Sequence, residues 1–183
     1  MNTLSAALAL AGRGFAVFPC CLPKKVPTCP HGFKNARTDP ADVRALWRRW
    51  PGDLVGTPTG ERNGFDALDI DPRHHGDVWL AQHRDRLPPT RIHQTRSGGQ
   101  HFLFRHHTGV RNSESKIAPG VDTRGDGGYI IWWPAAGCPV LAEAAPADWP
   151  GWLLALLLPP PPEPQAPPPR PATHARSARQ VRA

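Results

Sequence analysis

The chain contains no apolar run long enough to cross a bilayer, so no helical membrane span is expected. Cysteine is sparse: Cys20, Cys21, Cys29 and Cys138 follow no disulfide framework, and a reduced, cytoplasmic protein is the simplest expectation. A Gly-Lys-Ser/Thr phosphate loop is missing, so no ATPase motor is built into this sequence. No basic residue precedes the apolar segment Met1 to Ala11, which reads better as a first helix than as a signal peptide. No internal repeat is present. Acidic residues are outnumbered, 15 Asp and Glu against 22 Lys and Arg, and the net charge of +7 favours a polyanionic partner, nucleic acid by default. Some of that charge sits at the end of the chain, on Arg170, Arg176, Arg179 and Arg182.

Proline and glycine are abundant instead, 24 and 17 residues, which implies a loop-rich chain, a disordered end, or both. From Pro159 onward the composition is mostly Pro, Ala and Arg and cannot bury enough apolar surface to fold. The expected organisation is one folded domain over residues 1–158 and a disordered basic tail over 159–183.

Within the domain, helices and strands alternate. Ser5 to Gly12 reads as a short helix with a glycine stop, and Phe15 to Phe18 as a strand ended by Pro19. Asp39-Pro40 is a capping acid followed by proline at the first helical position, and starts a helix to about Trp50. Strands are expected at Leu54 to Thr57 and Phe65 to Asp71, and helices at Asp77 to Arg86 and Trp149 to Leu158. Arg91 to Thr95 and His101 to Arg105 flank a Ser-Gly-Gly turn as a hairpin. Residues 106–119 read as an irregular loop, and Val121 to Arg124 with Tyr129 to Trp133 as a second hairpin. The sum is an α+β domain with a largely antiparallel sheet.

Asp69-Ile70-Asp71 carries the most chemistry. Residues two apart on a strand face one side, so both carboxylates point one way while Leu68 and Ile70 point into a core. Like charges held roughly 6–7 Å apart at Cα repel unless a cation lies between them, and hard divalent ions take carboxylate oxygens. Read alone, the pair equally suits the end of an edge strand in solvent. Ser97-Gly98-Gly99-Gln100-His101 combines a turn that lets the backbone approach a ligand with hydroxyl and N–H donors suited to phosphate, or is a plain hairpin turn. His74, His75, His83, His106 and His107 read as solvent-facing. Asp122 follows an apolar residue on a strand and is chosen as the third carboxylate, whereas Asp126, between glycines, is left to the turn. Arg124 shares a face with Asp122, either to meet a triphosphate or to fix Asp122 by a salt bridge.

In this order, the acidic pair, the Ser/Gly turn ending in His, and the later apolar-Asp resemble the archaeo-eukaryotic primase superfamily. More closely, the chain is similar to the bifunctional primase–polymerase domain of plasmid, phage and mobile-element replication proteins. Gly14 to Pro19, Lys24 to Pro27, His31 to Ala36, Thr38 to Pro40, Val55 to Gly60, Leu68 to Asp71, Leu87 to Thr90, Thr95 to His101 and Gly120 to Tyr129 carry the resemblance, across roughly residues 5–134. It departs at Asn35-Ala36-Arg37, where the family often has Asp-Ala-Thr, and at Trp132-Trp133-Pro134. Those tryptophans would stack on bases or fill a core.

The resemblance implies an RRM-like antiparallel sheet beside a smaller αβ unit, with the site between them. It implies that Asp69, Asp71 and Asp122 hold two Mg²⁺ or Mn²⁺ ions, and that Ser97, Gly98, Gly99 and His101 contact the incoming triphosphate. Lys116 and Arg124 follow as weaker phosphate or template contacts. Its partners would be nucleoside triphosphates, a single-stranded DNA template and a helicase on a separate chain, with no membrane. Some relatives carry zinc; Cys20 or Cys21, Cys29, His31 and Cys138 match no standard structural zinc spacing, so zinc is not expected. Two rival functions remain open to the sequence: a metal-dependent nuclease, and a non-catalytic DNA-binding replication accessory.

Overall fold

A computed structural model describes residues 2–159; the expected tail beyond Pro159 lies outside the described residues. The elements are α1 (Thr3–Ala11), β1 (Phe18–Cys21), β2 (Val26–Pro27), α2 (Pro40–Arg49), β3 (Leu54–Pro58), β4 (Phe65–Ile70), α3 (Gly76–His83), β5 (Arg91–Gln94), β6 (Gln100–Arg105), β7 (Ser113–Ala118), β8 (Val121–Arg124), β9 (Tyr129–Ile131), β10 (Val140–Ala142) and α4 (Gly151–Leu157). They form two antiparallel sheets, one of four strands in the order β2-β1-β3-β9 and one of six in the order β10-β5-β6-β4-β8-β7. No described helix is long and apolar enough to cross a membrane.

Local chemistry explains the helix starts. The Asn2 carboxamide oxygen accepts from the Ser5 N–H at 2.8 Å, and the Asp39 carboxylate accepts from the N–H groups of Ala41 and Asp42, filling donors that a helix N-terminus otherwise leaves open. In α2, Val43, Leu46 and Trp47 fall on one face and are buried, the spacing of an amphipathic helix.

Two cores meet at β4. Its Phe65 and Ala67 join Leu103, Trp132 and the interior of the four-stranded sheet. Leu68 and Ile70, on the other face, pack with Phe102, Phe104, Trp149 and Leu153 of the helix side. The two-residue alternation also puts Asp66 on that second face, where it is fully buried. Its carboxylate accepts from the Trp149 indole at 3.1 Å and the His107 N–H at 2.9 Å, and meets His106 Nδ1 at 3.0 Å. Burial pushes the Asp66 carboxyl up, against the pull of these three donors.

The structure revises several expectations. The first strand is Phe18–Cys21, with Pro19 inside it opposite Val55. The Pro19 carbonyl accepts from the Thr28 N–H, so its donorless nitrogen faces the short β2 edge and the ladder with β3 is left intact. Residues 106–119 are not all loop: β7 is an edge strand, disguised in sequence by a bulge with Ser115 at φ 50°. Val121 to Arg124 and Tyr129 to Ile131 do not form a hairpin. β8 pairs with β4 and β9 with β3, so the intervening glycine turn crosses from one sheet to the other. Asp126 and Thr59 pin that crossing through Glu61 N–H and the Gly125 carbonyl.

His83 and His106 are not solvent-facing. His83 is half-buried against both Trp79 and Trp152, with ring centroids 4.5 and 5.5 Å away, and His106 is held by Asp66. His107 is half-buried, while His74 and His75 are exposed. Trp132 and Trp133 are both buried, and the rings of Phe15, Phe65 and His93 already occupy the surroundings of Trp132.

Two stability measurements follow. Asp66→Ala strands the indole N–H and the His107 N–H inside the core and is expected to lower unfolding free energy by about 3–5 kcal/mol in urea titrations. His93, fully buried against Trp132, has its pKa pushed down to about 3, by burial first and then by Arg91, His101 and Arg13. Below its ordinary value of 6.5 the unfolded chain binds a proton that the folded protein refuses. Its contribution to stability is therefore whole above pH 6.5 and is lost as pH falls toward about 3. Between pH 6.5 and pH 5 the loss from this residue is about 2 kcal/mol. Urea titrations across that range should give His93→Asn the flatter pH profile.

Candidate active site

The antiparallel register of the six-stranded sheet assembles the site. Asp69 on β4 lies directly opposite His101 on β6 and Asp122 on β8, and His101 lies opposite His93 on β5. Residues opposite one another in antiparallel strands share a face, so His93, His101, Asp69 and Asp122 form one row facing the four-stranded sheet. Asp71 continues the alternation just past the end of β4 and caps the 3-10 turn Pro72–His74.

A cavity of about 280 Å³ opens on this row. From the six-stranded side it is lined by Asp69, Asp71, Ser97, His101 and Arg124; from the other side Lys24, Lys25 and Tyr129 reach it. Asp122 does not line the cavity; Arg124 donates to one of its oxygens and the Ser115 N–H to the other, each at 2.8 Å.

The Thr95–Gly99 turn is shaped by close approach. A side chain at Gly99 would collide with the Ile70 carbonyl, and Gly98 has φ 84°. Glycine at both positions lets the turn lie against the acidic segment. Their N–H groups are already used, Gly98 to the Thr95 carbonyl and Gly99 to the Thr95 hydroxyl. The glycines therefore set the position of Ser97, which is exposed to the cavity and 3.1 Å from the Thr95 hydroxyl, rather than offering the N–H donors expected of them. Lys116 is not brought to the cavity. Past the Ser115 bulge its ammonium donates to the Leu157 carbonyl at 2.7 Å, at the end of α4, where a cation meets the negative end of the helix dipole.

Each carboxylate carries a cationic neighbour. Asp69 lies 3.4 Å from His101 Nε2 and 3.7 Å from Arg124. Burial raises the Asp69 pKa, but His101 and Arg124 outweigh it and hold the group below the usual carboxylate range. Asp71 accepts from Arg73 Nε at 3.0 Å and Nη2 at 2.7 Å, and from the Arg73 N–H. Those bonds hold its carboxyl far below its ordinary value despite some burial. Arg124 also donates to Asp122 at 2.8 Å. Both acids of the pair are thus ionised at neutral pH. His101 is buried, and its Nδ1 has no hydrogen-bond partner.

Oxygen donors of the kind a hard divalent ion takes are present at Asp69, Asp71 and Asp122. Among the described residues, however, no three Asp, Glu, His or Cys side chains converge on one point, and guanidinium groups lie on the oxygens of all three carboxylates. The Arg73 side chain is more than half exposed where it meets Asp71. The four cysteines are unbridged, with Cys20 and Cys29 buried.

Sequence reading gave no site role to Lys24, Lys25 or Arg73, which line the cavity. Lys24 and Lys25 lie in a segment that carries the resemblance, but the approach of their loop to β4 has no local signal.

The family model of the bifunctional DNA primase/polymerase N-terminal domain, Prim-Pol, matches residues 7–166. No curated protein matches the chain. Since the matched region takes in both sheets and every residue that lines the cavity, the chain belongs to the bifunctional DNA primase/polymerase (Prim-Pol) family.

Proposed function

We propose that this chain is a DNA primase/polymerase that performs template-directed nucleotidyl transfer from nucleoside triphosphates, on an archaeo-eukaryotic primase-like fold. The observation that carries the reading is the row set by strand register, which points Asp69, Asp122 and His101 to one face beside Asp71 and Ser97.

Asp69, Asp71 and Asp122 would hold two Mg²⁺ or Mn²⁺ ions. When bound, such ions lower the pKa of the attacking 3′-hydroxyl and neutralise charge on the triphosphate and its leaving group. The donor types fit, provided Arg73 and Arg124 leave the carboxylates. Two guanidiniums released in this way are free to meet phosphate oxygens, a pairing they favour through bidentate hydrogen bonds. Ser97 offers a hydroxyl donor, and the Thr95 hydroxyl bonded to the Gly99 N–H keeps it in place. His101 is fixed by the sheet and by Asp69, so its Nε2 is oriented before substrate arrives. Little covalent chemistry falls to the protein; positioning and electrostatics do the work. On this reading the partners are nucleoside triphosphates, a single-stranded DNA template and a helicase on a separate chain. The setting is cytoplasmic replication of a plasmid, phage or mobile element.

One observation favours a second reading, a non-catalytic DNA-binding accessory: the carboxylates are already neutralised by arginines, as retired metal ligands would be.

Asp69→Asn and Asp71→Asn are expected to lower primer-extension rate by roughly three orders of magnitude while the urea midpoint shows a folded protein. Extension at the wild-type rate by either variant would remove the site assignment. Adding deoxynucleoside triphosphate with Mn²⁺ should raise the melting temperature of the wild type and not of Asp69→Asn, since only the ligand-binding state is stabilised. No shift in the wild type would favour the accessory reading. Labelled DNA incubated with Mn²⁺ and no nucleotides should stay intact; its degradation would instead indicate a nuclease.

A further inference from the structure

The cavity has a second wall that the acidic row does not explain. Residues 22–25 join β1 to β2, and both lysines of that turn, Lys24 and Lys25, line the cavity with Asp69 and Asp71. Lys25 adopts φ 59°, a left-handed conformation that side-chain-bearing residues rarely take and that the surroundings must enforce. Two hydrogen bonds enforce it: the Lys25 N–H donates to the Cys21 carbonyl at 2.8 Å, and the Tyr129 hydroxyl donates to the Lys25 carbonyl at 3.2 Å. Tyr129 comes from β9, so the backbone of this turn is fastened across the sheet. The Lys25 ammonium lies 5.7 Å over the Trp133 ring, another cavity residue.

Charge shows what the turn is for. Four Lys and Arg side chains line the cavity against two carboxylates. Arg73 and Arg124 are ion-paired to those carboxylates, whereas among the described residues neither Lys24 nor Lys25 forms an ion pair. Two positive charges are left facing the cavity without a protein counter-charge, and glycine is absent at a position whose backbone would favour it. An ammonium is a compact point charge suited to phosphate oxygens. The cavity is of small-ligand size, which favours a nucleotide over a nucleic-acid duplex.

We propose that Lys24 and Lys25 form a second arm of the triphosphate site, engaging the terminal phosphates of the nucleotide from the four-stranded sheet while Ser97 and His101 hold it from the six-stranded sheet. The inference rests on the nucleotidyl-transfer reading and adds to it a clamp made of both sheets. Tyr129 is a positioning residue in this arrangement, acting through the Lys25 backbone.

The test compares binding of dATP, dAMP and a single-stranded oligonucleotide to the full chain, in Mg²⁺, by calorimetry. The double variant Lys24→Ala with Lys25→Gly removes both ammonium groups, and glycine suits the left-handed backbone, so its urea midpoint should match or exceed that of the wild type. Its affinity for dATP is expected to fall by roughly tenfold or more, as loss of charge-assisted hydrogen bonds requires, with dAMP binding nearly unchanged. Lys24→Arg with Lys25→Arg should keep most of the preference for dATP over dAMP. Unchanged dATP affinity in the double variant, an equal loss for dATP and dAMP, or a loss confined to the oligonucleotide would each overturn the clamp; the last would make these lysines strand contacts. A wild type that shows no preference for dATP over dAMP would remove the nucleotidyl-transfer reading and the clamp together. A wild-type preference that survives in the double variant removes the clamp alone.

Discussion

Backbone pairing of β4 with β6 on one side and β8 on the other is the constraint on which the site depends. The ladder hydrogen bonds set which residues stand opposite one another, and the pleat sets which way they point. Asp69, His101 and Asp122 come together for no other reason; they lie far apart in sequence and share no local motif. A one-residue slip of β4 would turn Asp69 toward the helices and Leu68 toward the cavity. Slippage is opposed because both faces of the strand are packed, one against Leu103 and Trp132, the other against Phe102, Trp149 and Leu153.

Asp66 reinforces the same register from the opposite face. A carboxylate with no exposure in an apolar layer is costly unless its oxygens are satisfied. Here the satisfying groups come from the segment after β6 and from the indole at the approach to α4. The bonds therefore tie β4 to its neighbour and to the helix layer at one point. Moving β4 along its axis would leave a buried charge and three donors without partners. The buried acid of the strand thus helps to hold in place the acid that faces the cavity.

The cavity itself is a meeting of opposite charges from different elements. The acids come from the end of β4, the arginines from β8 and the turn after β4, and the lysines from the first hairpin. In the structure Arg73 holds the Asp71 carboxyl below its ordinary value, and His101, with Arg124 behind it, does the same for Asp69. Such pairing offsets the repulsion between the two carboxylates. It also sets the conditions for filling the cavity: a cation that takes the carboxylates must displace guanidiniums, and an anion arriving with it would receive them.

The sequence by itself determined what local periodicity and capping can encode. Asp39-Pro40 located the start of α2, the Ser97-Gly98-Gly99 turn announced the β5–β6 hairpin, and alternation from Leu68 to Asp71 put the two acids on one face with Leu68 and Ile70 in a core. Asp122 stands opposite Asp69, whereas Asp126 accepts from the Glu61 N–H at the turn that crosses between the sheets. Tertiary structure decided everything that depends on pairing between distant segments. It sent β8 to β4 and β9 to β3, in different sheets, although their sequence looks like a hairpin. It made an edge strand of Ser113 to Ala118, whose bulge erases the two-residue pattern. It turned Lys116 toward the end of α4 and carried Lys24 and Lys25 across to face β4. No local signal specifies such contacts, since their energy comes from surfaces that exist only once both sheets have formed.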